Sequence, residues 1–121
     1  MSSENTIPWL NQSHLASLRA LSKARGRDLV RELSGTFFSV IPERIAAMKS
    51  AAATGDARAF AAGAHKLKGS AACIGADRLA VLCDRVESMG DGGPLEGAAT
   101  LIEQIEEGVE AVREAFAQER G

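Results

Sequence analysis

The amino-acid sequence predicts an all-α protein, an antiparallel four-helix bundle with a short extra N-terminal helix. Apolar residues recur at steps of three and four in successive segments, which is helical spacing. There is no sustained alternation of apolar and polar residues and no Asn-Gly hairpin signal. Short turn-forming stretches separate the segments, so the long helices are expected to pack antiparallel against their neighbours.

The first two helices are predicted over residues 12–24 and 27–53, with Gly26 as the stop between them. Pro42 lies inside the second helix. It should kink or break that helix, because proline removes one backbone hydrogen bond and crowds the preceding turn. The apolar residues of the first helix are Leu15, Leu18 and Leu21. The stripe of the second comprises Val30, Leu33, Phe37, Val40 or Ile41, Ile45, Met48 and Ala52.

The third helix is predicted over residues 57–74. Gly55 can end the preceding helix, and Asp56 can cap this one with its side chain. Gly75 is expected to close it. The apolar residues that cluster on one side of the third helix are Phe60, Leu67, Ala71 and Ile74.

The last two helices are predicted over residues 77–89 and 95–118, joined by a glycine-rich loop over 90–94. The stripe of the fourth helix is Leu79, Leu82, Cys83, Val86 and Met89. The stripe of the fifth is Leu95, Ala98, Ile102, Ile105, Val109, Val112 and Phe116. The bundle core should consume this last stripe, which favours a monomer. The short first helix is expected to cover one end of the bundle.

Length and composition restrict the function. The 121 residues suit a single domain, taken here as 1–121, and 45% of them are apolar. A net charge of −2 argues against nucleic-acid binding, which usually needs a basic surface. No apolar run is long enough for a membrane span, and the first residues lack a secretory signal, so a cytoplasmic location is expected. Cys73 and Cys83 are expected to be free thiols.

His65 is the most informative residue, in the stretch AHKLKGSAACIGA over 64–76. At about 100° per residue, it points roughly 200–220° away from the core stripe of the third helix, so it should face outward. Its neighbours on that outer face, within about 60°, are Arg58, Ala61, Lys68, Gly69 and Ala72. The surface is therefore small around the histidine and basic at its edges.

This surround suits a nucleophile that serves a visiting partner. A neutral imidazole nitrogen can attack phosphorus, and Lys68 can compensate the charge of a transferred phosphoryl group. Gly69 costs about 1 kcal/mol relative to alanine inside a helix, which suggests that the space above it is needed.

The stretch His65-Lys66-Leu67-Lys68-Gly69-Ser70-Ala71 resembles the signature of histidine-containing phosphotransfer (HPt) domains. The resemblance covers about residues 10–118. Other positions match the pattern of this family: Phe37 with Pro42, Gly55-Asp56, Gly75-Ala76, Leu79, Leu82-Cys83 and Glu87.

This resemblance implies a phosphorelay intermediate of two-component signal transduction. The exposed histidine of such a domain accepts a phosphoryl group from the aspartyl phosphate of a response-regulator receiver and passes it to the aspartate of another. His65 would be the phosphoacceptor, Lys68 the charge-stabilising lysine and Gly69 the clearance residue, with receivers docking around Arg58, Ala61, Gly69 and Ala72. The resemblance implies no ATP binding, no kinase activity and no resident cofactor, with Mg²⁺ in the receiver and a hybrid histidine kinase as a further partner.

Two other functions remain open at this point. A structural adaptor of the same fold would dock a receiver or kinase without being phosphorylated, but it needs no nucleophile. A metal-dependent or hydrolytic enzyme would need ligand sets, and neither zinc spacing nor a Glu-x-x-His pair is present.

Cys83 is expected in the core, Cys73 is expected to be partly exposed, and the glutamates of the last helix are expected on its solvated face. His14, near the start of the first helix, and Gly108 receive no role.

Overall fold

A computed structural model describes residues 6–89 and 97–120, and within these residues it contains five α-helices and no strand. The prediction of an all-α fold is confirmed. The helices are α1 Gln12–Arg25, α2 Leu29–Thr54, α3 Ala57–Cys73, α4 Asp77–Met89 and α5 Ala98–Arg120. The predicted loop 90–94 and two predicted stripe positions, Leu95 and the side chain of Met89, lie outside the described part.

The four long helices form a ring of neighbours. Helix α2 packs against α3 and α5, and α4 packs against the same two helices, while α1 lies against α2. Contacts along the helices give their directions. Lys49 Nζ lies 3.3 Å from Glu106 Oε2, whereas the earlier residue Phe38 contacts the later residue Phe116. Helices α2 and α5 are therefore antiparallel, and two-residue and three-residue links make the pairs α2–α3 and α3–α4 antiparallel as well.

The apolar stripes meet in one core at the centre of the ring. Where the spacing left two choices in α2, Ile41 is buried at 3% exposure and Val40 is half-buried at the edge. Leu21 departs from its predicted stripe, with 42% exposure, because only the first part of α1 reaches the core. The largest buried side chains are Phe37, Phe60, Leu15, Met48, Leu67, Leu79 and Ile105.

The helix ends follow the predicted caps. The side chain of Asp56 accepts a hydrogen bond from the backbone N–H of Ala59 at 3.0 Å, and Asp28 caps α2 in the same way through Arg31. Gly26 and Gly55 adopt left-handed φ angles of 65° and 73°, which glycine accepts without strain.

Pro42 does not break α2, which continues from Leu29 to Thr54. The break allowed for by the sequence pattern is therefore absent. Proline withholds one N–H from the helix, but Phe37 and Ile41 before it and Ile45 and Met48 after it are all buried in the same core. Packing on both sides holds the two halves in one helix.

Helix α1 closes one end of the bundle, as predicted. The backbone N–H of Asn11 donates to the carbonyl oxygen of Gly75 at 2.8 Å, and its side-chain amide donates to Asp77 at 2.8 Å. The Nε2 atom of His14 lies 2.8 Å from the carbonyl oxygen of Cys73. Because a carbonyl oxygen only accepts hydrogen bonds, the ring N–H at Nε2 is the donor in this contact. His14 therefore ties α1 to the end of α3.

Gly108 marks a close approach between helices. A Cβ atom at this position would lie 3.1 Å from Leu79 Cδ1 and 3.3 Å from Trp9 Cζ3. Glycine here lets α5 pack tightly against α4 and the segment before α1. This contact joins residues far apart in the sequence, so helical spacing had no means of explaining it.

Candidate functional site

His65 projects from the outer face of α3, and its side chain is 66% exposed. The opposite face of α3 consists of Phe60, Ala64, Leu67 and Ala71, all completely buried. The outward direction predicted from the helical wheel is confirmed. The site is thus on a rigid element held by the bundle core.

Glu87 on α4 holds one nitrogen of the His65 ring. The two carboxylate oxygens of Glu87 lie 3.2 and 3.1 Å from Nδ1 of His65. An ionised carboxylate only accepts hydrogen bonds, so Nδ1 carries the proton in this pair. In the neutral ring, Nε2 then keeps its lone pair free for attack on an electrophile.

Lys68 is paired with two carboxylates of α4. Its Nζ atom lies 2.8 Å from Glu87 Oε1 and 3.0 Å from Asp84 Oδ1. Its side chain is 30% exposed, less than its place on the outer face of α3 suggested. The hydrogen bond to Glu87, followed by that to Asp84, raises the pKa of Lys68 above its ordinary value.

The pKa of Glu87 is lowered, mainly by its hydrogen bond to Lys68 and next by that to His65. Glu87 therefore stays ionised as the hydrogen-bond acceptor of His65. Glu87 matches the family pattern in the sequence, but neither it nor Asp84 was predicted to take part in the site. Helical spacing within α3 gave no guide to these two residues, because both contacts depend on how α4 packs beside α3.

 

Small or flexible residues surround His65 on the outer face. A Cβ atom added to Gly69 would meet nothing within 4 Å, so the space above this glycine is open. Arg58 and Ala72 are exposed, and Ala61 is half-buried. The structure thus places the predicted site residues along one surface of α3, and it adds Glu87 and Asp84 from α4.

The two cysteines lie as expected. Cys83 is buried in α4, and burial raises the pKa of its thiol to about 12. Cys73 is exposed at the end of α3. Within residues 6–89 and 97–120, no three His, Cys, Asp or Glu side chains are grouped so as to hold a metal ion. None of the helices described is long and apolar enough to cross a membrane.

A helical bundle with an outward histidine in a His-Lys-Leu-Lys-Gly stretch defines the class of histidine-containing phosphotransfer domains. The family described as "Hpt domain" matches residues 32–115, and the chain belongs to this family. It is therefore a phosphorelay protein.

A solved structure supports the same assignment over more of the chain. The chain is similar to the crystal structure of histidine-containing phosphotransfer protein B (HptB) from Pseudomonas aeruginosa PAO1, at 35% sequence identity. The match covers 93% of this chain and 95% of that chain, with a TM-score of 0.81. A comparison with curated proteins found no match.

Proposed function

We propose that His65 accepts a phosphoryl group from the aspartyl phosphate of a response-regulator receiver domain and passes it to the aspartate of another receiver. One observation carries this proposal. Nδ1 of His65 is held by Glu87 at 3.1 Å, while the ring is 66% exposed, so Nε2 faces a visiting partner. Membership of the Hpt family supports a phosphorelay role.

In the forward step, the lone pair of Nε2 attacks phosphorus. The bond between phosphorus and the aspartyl oxygen breaks, and the aspartate leaves as a carboxylate. The phosphorylated ring keeps its Nδ1 proton and carries positive charge, which Glu87 stabilises through its hydrogen bond. In the onward step, a carboxylate oxygen of the next receiver attacks phosphorus, and the bond between phosphorus and Nε2 breaks.

Lys68 supplies positive charge one helical turn from His65. We assign it the role of stabilising the phosphoryl group. To do so, Lys68 gives up part of its ion pairing with Asp84 and Glu87 when His65 is phosphorylated. Gly69 leaves room for the receiver, whose surface docks around Arg58, Ala61 and Ala72. Lysine suits this task because its ammonium group is a mobile point charge.

The proposal extends to the setting of the reaction. The chain, taken as one domain over residues 1–121, works as a monomer in the cytoplasm, with a hybrid histidine kinase among its partners. It has no kinase activity and no cofactor of its own, since the Mg²⁺ needed for transfer belongs to the receiver. Light scattering on the purified protein measures the oligomeric state.

The decisive experiment incubates the protein with phosphorylated receiver domains. The wild type should take up label that is labile to acid and stable to base, as a phosphoramidate is. The His65→Gln variant should unfold like the wild type and take up no label. Normal labelling of this variant would exclude His65, whereas unlabelled wild type that still binds receivers would indicate an adaptor.

A further inference from the structure

A groove between α2 and α3 opens directly beside His65. It has a volume of about 630 Å³, and its α3 wall includes His65 and Gly69. Its lining is largely apolar, from Leu33, Phe37, Val40 and Ile74. The groove is therefore continuous with the surface on which a receiver must approach the histidine, although it lies toward α2, away from Arg58 and Ala72.

Arg44 of α2 gives this groove a cationic end. Its Nε atom is shielded from solvent and has no hydrogen-bond partner among the described residues. Glu43 lies beside it in the next groove along α2, but makes no ion pair with it. Lys66 lines both grooves with Arg44, so positive charge is concentrated there.

An unpaired and shielded guanidinium N–H is unusual in a folded protein, because buried polar groups are nearly always hydrogen-bonded. A carboxylate is the natural partner, since arginine can bind it through two parallel hydrogen bonds. The apolar walls call for an apolar side chain next to that carboxylate. Because His65 itself lines the groove, a partner surface that fills the groove also covers His65.

We infer that Arg44 is a specificity-determining residue, which binds a carboxylate that the receiver presents next to an apolar side chain inserted in the groove. This inference rests on the proposed function, because the occupant is the receiver that reacts with His65. A receiver with a neutral or basic residue at that position would leave Arg44 unpaired in the complex. It would then be a poorer donor.

The test compares two phosphoryl donors on the same variants. Among a panel of phosphorylated receivers, the one that transfers fastest to the wild type is the macromolecular donor. Phosphoramidate, which is too small to need docking, is the other. For Arg44→Gln, kcat/KM with the receiver should fall by about tenfold or more, mainly through KM. Arg44→Glu should lose more, and labelling of His65 by phosphoramidate should stay unchanged in both.

Arg31→Glu is the matched control, because Arg31 is exposed on the same helix and makes no side-chain hydrogen bond in the described part of the chain. Arg31→Glu changes the net charge by as much as Arg44→Glu does, but at a position about 20 Å from Arg44 along α2. Its transfer rate should match that of the wild type. The salt dependence of kcat/KM should become weaker in Arg44→Gln but not in an Arg44→Lys variant, which keeps the charge.

The outcomes separate the two hypotheses. Wild-type transfer rates from the receiver to Arg44→Gln and Arg44→Glu would overturn the role of Arg44 and leave His65 untouched. Failure of both donors to label His65 in the wild type would overturn the proposed function itself. Replacing the partner carboxylate of the receiver with lysine should restore transfer to Arg44→Glu, and equal loss in Arg31→Glu would show a general charge effect instead.

Discussion

At the scale of single residues, Glu87 stands between the two charged groups of the site. It accepts hydrogen bonds from Nδ1 of His65 and from Nζ of Lys68, the latter at 2.8 Å. The carboxylate thereby selects the ring tautomer and also restrains the lysine. Through these two hydrogen bonds, Glu87 links the nucleophile His65 to Lys68, whose charge is proposed to stabilise phosphohistidine.

Replacing Glu87 with alanine should slow phosphoryl transfer to His65 by about tenfold, the lower end of the loss found when a partner that orients a metal-binding histidine is removed. The His65 ring then loses the acceptor that holds the proton on Nδ1. Nitrogen chemical shifts of the imidazole should show a mixture of tautomers. Glu103→Ala, on the solvated face of α5, is the control, and an unchanged tautomer in Glu87→Ala would contradict the assigned role.

Lys68 and Asp84 should have opposite effects on the lifetime of phosphohistidine. Lys68→Ala removes the cation and should shorten the lifetime by about fivefold or less, because the group is near the surface. Asp84→Ala removes one competitor for the lysine and should lengthen it. The measurement is the decay of labelled protein after the donor is removed. Equal lifetimes in both variants would reduce Lys68 to a structural ion-pair partner.

Gly69 is the residue whose side chain would obstruct the partner. Gly69→Gln should leave thermal unfolding unchanged or slightly improved, because the space is open and glutamine is the better helix former. Transfer from a receiver should nevertheless fall sharply, while labelling by phosphoramidate continues. Ala46→Gln, exposed on the α5 side of α2, is the control. Equally fast transfer to Gly69→Gln would refute the clearance role.

At the scale of helices, α3 contains two glycines with different tasks. Gly69 faces open space, but a Cβ atom at Gly63 would lie 2.6 Å from Cγ of Met48 on α2. Met48 is 1% exposed, so its side chain has little room to move away. Gly63 therefore sets how closely α2 and α3 approach, whereas Gly69 leaves that packing unaffected.

Substitution by alanine should thus change the free energy of unfolding in opposite directions at the two glycines. Gly69→Ala should raise the free energy of unfolding by up to about 1 kcal/mol through helix propensity. Gly63→Ala gains the same propensity but overpacks the α2–α3 contact, at a cost of about 1–3 kcal/mol, so we expect a net loss. Denaturant unfolding measures both. Equal stabilisation of the two variants would show that the contact with Met48 relaxes freely.

At the scale of the whole molecule, surface ion pairs join different helices. The pKa of Glu119 is lowered, first by its hydrogen bond to Arg19 on α1, and that of Glu87 first by Lys68. The ordinary value for both is 4.5. These two carboxylates bind a proton less tightly in the folded state than in the unfolded state. The ion pairs therefore stabilise the fold fully above pH 4.5.

The melting temperature should therefore decline as the pH falls from 4.5 through the lowered pKa values. Glu119→Gln removes one of these groups and should make the decline shallower. Added salt should weaken the difference between this variant and the wild type, because the pair is near the surface. A decline equally steep in Glu119→Gln would show that other carboxylates govern acid unfolding.

Local sequence alone was enough for the helices and for the direction of His65. Apolar spacing, Asp56 as a cap and Gly55 as a stop depend on residues within one or two turns, and such short-range signals survive folding unchanged. Pro42 does not break α2 for the opposite reason, since core packing on both sides of it depends on residues of other helices and keeps α2 continuous from Leu29 to Thr54.

What the sequence by itself determined is the class of fold and the nucleophile with its outer-face neighbours, because an α-helix places residues three and four apart on one side. The tertiary structure alone decided that Glu87 and Asp84 of α4 meet His65 and Lys68 of α3, and that Arg44 of α2 reaches the groove beside them. These contacts span 16 to 22 residues in the chain. They depend on which faces of three helices pack together, and helix periodicity within a single element contains no information about that.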